Sequence, residues 1–158
     1  MEQFHLAQIN VARMIAPLDD PLMAGFVAQL ETINAQAEAS PGFVWRLQSE
    51  AGDATSINAF DDERILINMS VWESIEALHT YTYRSQHAGV FRDRSQWFLP
   101  FGRPHLALWW IPAGHTPSPE EGRSRLELLQ QQGPTALAFT FKQHFPAPVE
   151  TEVKVSLK

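Results

Sequence analysis

His87 is the leading candidate for acid–base chemistry or iron ligation, because an imidazole exchanges a proton near neutral pH and in its neutral form ligates iron. It shares a helical stripe with Tyr83, Val90, Phe91, Arg94 and Phe98, so a helix in this region would bring His87, Phe91 and Arg94 to one side. The competing role for His87 is structural, bonded to a carbonyl or facing a subunit seam. Tyr81 and Tyr83 offer phenolic O–H groups or simple packing surface, and Arg84, Arg92 and Arg94 offer guanidinium forks for a carboxylate or a solvated helix face. Asn10 lies with Gln8 on one side of the first strand and would extend a polar wall if that side turns toward the helices. His79, His105, His115 and His144 show no metal-binding spacing, no GxSxG elbow occurs, and His115 in PAGH suits a turn or cap.

The elements that must hold these groups follow from apolar periodicity. His5 to Met14 alternates as a strand, and Asp20-Pro21 starts a helix whose stripe is Met23, Phe26, Val27, Leu30, Ile33 and Ala37. Ser40-Pro41-Gly42 ends it, and Phe43, Trp45 and Leu47 alternate with Val44, Arg46 and Gln48 as a second strand. Arg64 to Trp72 is a third strand, with Leu66, Asn68, Ser70 and Trp72 on a mixed face. Glu73 to Phe98 holds one or two helices, and His105 to Ile111 is an aromatic strand closed by Pro112-Ala113-Gly114. The order β-α-β-β-α-β predicts an α+β fold, the ferredoxin-like split βαβ arrangement with two helices on one face of an antiparallel sheet. The other face needs cover, which a second copy would supply, so a homodimer is expected. Ser118-Pro119 with Glu121 starts a further helix ended by Gly133-Pro134, Ala136 to Phe145 suits a fifth strand, and TEVKVSLK is an exposed strand or tail.

Bulk properties agree with one domain over 1–158, divided into a core of about 3–112 and an extension of about 113–158. The 158 residues include no cysteine, which removes disulfides, thiolate nucleophiles and iron–sulfur ligation. With 18 Asp+Glu against 12 Lys+Arg, no nucleic-acid partner is expected. No apolar stretch approaches the roughly 20 residues of a membrane span, and the polar-interrupted start MEQFHLAQINVARM does not fit a secretory signal, so a cytoplasmic protein with no membrane partner is expected.

The β-α-β-β-α-β order, with VWES (Val71 to Ser74), Glu76-Ala77-Leu78 and a His-bearing helix, resembles the dimeric α+β barrel superfamily and its antibiotic biosynthesis monooxygenases. The longer signature LWWIPAGHTPSPEEGRSRLELLQQQGPTALAFTF, Leu108 to Phe141, resembles an uncharacterised bacterial family, domain of unknown function 3291, with the same core. The resemblance implies that small aromatic substrates or haem bind between the sheet and its helices. Asn68 and Trp72 match an Asn–Trp pair of anthrone-oxidising relatives, which implies catalytic roles for both; His87, from its helical stripe, is the third expected catalytic residue, with Asn10, Tyr81, Tyr83, Phe91 and Arg94 expected to bind substrate. Haem-degrading relatives place their His at the position of Phe91, so this chain departs from the haem pattern. An amide can donate to a developing oxyanion, and an indole N–H can hold a carbonyl. The expected activity is a cofactor-free, monooxygenase-like oxidation of a phenolic or polycyclic aromatic molecule, with no metal. Haem is the alternative cofactor, and a noncatalytic dimeric module binding a small apolar ligand or haem is the alternative function.

Overall fold

The computed structural model describes residues 3–48, 64–86 and 94–148. Within them the strands are β1 (Phe4–Met14), β2 (Phe43–Arg46), β3 (Ile65–Trp72), β4 (Phe98–Leu99) and β5 (Leu106–Pro112), and the helices are α1 (Ala24–Glu38), α2 (Ile75–Gln86) and α3 (Pro119–Gln132). All strand pairs are antiparallel. β1 is central, with β3 and then β2 on one side, and β5 and the short β4 sharing its other edge. The expected α+β architecture is therefore present.

Local chemistry explains the boundaries. The Asp20 carboxylate accepts from Leu22 N–H at 2.9 Å, and Pro21 opens a 3₁₀ turn that runs into α1. Gly42, at a φ of +84°, turns the chain into β2 and accepts a backbone hydrogen bond from Glu73. Ser118 caps α3 by accepting from Glu121 N–H at 3.1 Å. The reciprocal half of a capping box is absent, because the Glu121 carboxylate turns to the Trp109 indole N–H (2.9 Å) and to His115 Nε2 (2.7 Å) instead. His115 thus helps fasten the start of α3 to β5.

Strand parity divides the sheet into two faces. The even-numbered residues of β1 form the front face, along which α1 runs from Phe26, packed with Met14, to Ala37, packed with Leu6 and Trp72. α2 joins it through Leu78. The odd-numbered residues form the back face, where Ile9, Met69 and Trp109 are almost completely buried beneath Leu126 and Leu129 of α3. This cover comes from the same chain, so the burial of these residues does not call for a second copy. Gly122 explains how closely the helix sits: a Cβ there would stand 2.9 Å from both Ile9 Cδ1 and Met69 Sδ.

The fifth strand expected over Ala136 to Phe145 is a correction. Thr135 and Ala138 close a tight turn by exchanging backbone hydrogen bonds, and only Phe139 bridges Leu108 on β5. Thr140 Oγ1 then accepts from Gln143 N–H, turning the chain away. The strap still wraps the edge of β5, with Ala138 in the back core and Phe139 in the front core. The final TEVKVSLK lies outside the described residues.

Candidate functional site

The front face is not uniformly apolar. An apolar cluster around Leu6, Trp72 and Leu108 occupies one end, and another around Met14, Phe26 and Trp97 occupies the other. Between them, β1 contributes Gln8 and Asn10 and β3 contributes Ser70 and Asn68, paired Gln8 with Ser70 and Asn10 with Asn68. Parity had left the direction of Asn10 open; this face is the one that meets α1 and α2.

Gln8 and Ser70 are the two buried polar residues among those described, and they are bonded to each other. Gln8 Nε2 donates to Ser70 Oγ at 2.8 Å and to Asn68 Oδ1 at 2.7 Å, which uses both of its N–H bonds. Trp72 Nε1 donates to the same Ser70 Oγ at 2.8 Å. Ser70 therefore accepts twice and retains only a donor, its O–H. Asn68 is the one exposed residue of β3, and with its carbonyl oxygen held by Gln8 its Nδ2 donors are turned away from that bond. The arrangement can offer fixed hydrogen-bond donors to an oxygen acceptor beside an aromatic surface.

That surface differs from the expected one. Trp72 is fully buried and its indole N–H is donated to Ser70 Oγ, so it presents a packed ring rather than an open donor. Tyr81 stacks on Trp72 with ring centroids 5.1 Å apart, and Phe43 meets it edge-on at 5.5 Å. Tyr83 points outward and is 61% exposed, away from this group. The structure thus gathers Asn10, Asn68, Trp72 and Tyr81 on the front side and leaves Tyr83 apart. His87 and Phe91 lie outside the described residues, as does the side chain of Arg94.

Ser70 and Arg46 belong to the site's surroundings but were not singled out by sequence, and Gln8 was noted only as the companion of Asn10 on its strand face. Arg46 pairs with Ser70 across β2 and β3, its side chain is 11% exposed, and its Nε donates to Glu38 Oε2 at 3.2 Å. The available signal was the run of polar residues sharing one parity on β1 and β3. Among the described residues no group of three or more His, Cys, Asp or Glu could hold a metal ion, and no helix is long and apolar enough to cross a membrane.

The described histidines do not fit a haem on this row: His79 packs on Phe141, His115 on Glu121, His105 near Phe101, and His144 against the Phe141 carbonyl, while His5 has back-face parity. Iron ligation there would fall to His87, which lies outside the described residues.

The chain is similar in structure to PA3566 from Pseudomonas aeruginosa, at a TM-score of 0.46 and 12% identity, over 72% of this chain and 97% of that one. It is also similar to NE2512, a protein of unknown function from Nitrosomonas europaea, at 0.44 and 10%, over 74% and 96%. SnoaB, a cofactor-independent oxygenase from Streptomyces nogalater, matches at 0.39 and 14%, over 71% and 95%. Likeness of this degree does not transfer activity or substrate. No curated protein matches the chain. Residues 5–155 match the model of the family described as Domain of unknown function (DUF3291), and the chain belongs to that family.

Proposed function

We propose that this protein is a small-molecule oxygenase that acts, without a cofactor, on a phenolic or anthrone-like aromatic compound at the front face of the sheet. The observation that carries the proposal is the Asn68 amide, exposed at the site and anchored through its oxygen by the buried Gln8. An anchored donor needs no reorganisation when negative charge develops on a substrate oxygen. Asn10, its cross-strand neighbour, adds a second amide, and Tyr81 with Trp72 supplies the aromatic wall. Every one of these groups comes from a single chain.

His87 is proposed as the base on the strength of its side-chain type. It removes a proton from the substrate, and the amides bind the resulting oxyanion. The electron-rich anion then reacts with molecular oxygen. For an anthrone-like methylene, one oxygen atom becomes the new carbonyl and the other leaves as water with the two hydrogens lost from carbon. The carbon is oxidised and O₂ is the oxidant.

Oxygen uptake with a panel of anthrones and phenols tests the proposal. Wild-type protein is expected to consume one O₂ per product carbonyl, and Asn68→Ala and His87→Ala are expected to lower turnover far more than affinity. Unchanged turnover in both variants would remove them from the chemistry, and absence of uptake across the panel would overturn the oxygenase assignment.

A further inference from the structure

We infer that Gln8 is a positioning residue that sets the hydrogen-bond polarity of this site, so that it prefers an ionised ligand oxygen to the same oxygen carrying its proton. The inference rests on the aromatic-ligand site proposed above and deepens it. Its basis is the fork of Gln8, whose single amide nitrogen faces both Asn68 Oδ1 and Ser70 Oγ. With Gln8 donating to both neighbours, Asn68 is left with its two Nδ2 donors and Ser70, already accepting from Trp72, with its O–H. Three N–H or O–H donors then stand against one remaining lone pair on Asn68 Oδ1, so the outward capacity of the pair is predominantly donation. A phenolate accepts from such groups without offering a competing proton, and hydrogen bonds to a charged acceptor are about twice as strong as those to a neutral one.

Burial gives the polarity its persistence. Gln8 is 4% exposed and Ser70 6%, so water has little access to exchange partners with either, and leaving one of these groups unpaired would be costly. If the Gln8 amide were turned over, its oxygen would accept from both neighbours, Asn68 would present its carbonyl, and the site would favour a protonated ligand. Among the described residues, the charges near this row are Arg46 on β2 and its partner Glu38 on α1, and Tyr81 is a titratable neighbour on α2; His87, the proposed base, lies outside them. A neutral substitution at Gln8 leaves these groups in place and isolates polarity from net charge.

The probe is 4-nitrophenol, whose colour reports its protonation state, with 1,2-dihydroxyanthraquinone as a larger ring system. Each is titrated with pH in the presence and absence of protein. The wild type is expected to bind the ionised probe roughly tenfold more tightly than the neutral one, lowering the bound probe's ionisation midpoint by about one pH unit. Gln8→Met, similar in shape and unable to donate, is expected to abolish that shift while retaining affinity for the neutral probe. Ser70→Ala, which removes the shared acceptor, is expected to reduce the shift and serves where Gln8→Met does not fold. A wild-type shift that survives both substitutions would overturn the role of Gln8. Equal binding of both forms by the wild type would overturn the polarity but leave the aromatic site standing, whereas no binding of either probe would overturn that site and this inference with it.

Discussion

The two faces of one sheet, built from alternate residues of the same strands, have opposite designs. On the back face Ile9, Met69 and Trp109 meet Leu126 and Leu129, and at Gly122 the helix approaches too closely for any side chain to fit without displacing Ile9 and Met69. On the front face the same two central strands place four polar side chains between two apolar clusters. A solid apolar contact stabilises the fold, and a polar interruption gives up part of that stabilisation for directed hydrogen bonds. Substitutions on the back should therefore alter stability with little change in ligand preference, and substitutions at the exposed front residues should do the reverse.

The sharpest test of that division is Trp109→Ala. It empties a fully buried site and leaves the Glu121 carboxylate without its indole donor, so a loss of about 4 kcal/mol is expected in denaturant titration. Next comes Asn68→Ala, for which turnover is expected to fall about 10²-fold while the midpoint of unfolding barely moves. A large stability loss there would break the comparison, because it would make Asn68 a structural residue. Gly122→Leu forces side-chain atoms into Ile9 and Met69; overpacking outweighs the helix-propensity gain of about 1 kcal/mol, leaving a net destabilisation of about 2 kcal/mol. Its mass by sedimentation should also rise above that of the wild type, since a displaced α3 uncovers apolar sheet. Tyr83→Ala should change stability by less than about 0.5 kcal/mol and leave probe binding unaltered, because that ring is mostly in water.

Much of this organisation was legible in the chain, and the gaps have physical causes. Alternation in β1 and β3 put Asn10 with Gln8 and Asn68 with Ser70 on shared faces, and Asp20-Pro21 and Ser118-Pro119 marked where helices begin. Parity says which residues share a face but not which face the helices cover, so the position of Asn10 needed the packing of α1. The destination of α3 was hidden because Leu126 and Leu129 mark an apolar side without naming its partner, and Gly122, which lets the helix sit tight on Ile9 and Met69, carries no hydrophobic signal. Ala136 to Phe145 has the composition of a strand, yet two local turns use the backbone groups that a ladder would require. Trp72 was expected to donate its indole N–H to a ligand, but a serine two residues away on the same strand face already accepts it. The importance of Gln8 follows from two short contacts made at once across a strand pair, a coincidence that composition cannot display.

The turn between β5 and α3 has one more consequence. It spans only residues 113–118, so the helix that covers the back of the sheet is held beside its binding surface by a very short tether. For short flexible linkers the effective concentration of such a tethered segment is in the millimolar range. Docking of α3 is therefore a unimolecular event whose extent does not depend on how much protein is present, and dilution alone should not uncover the back of the sheet.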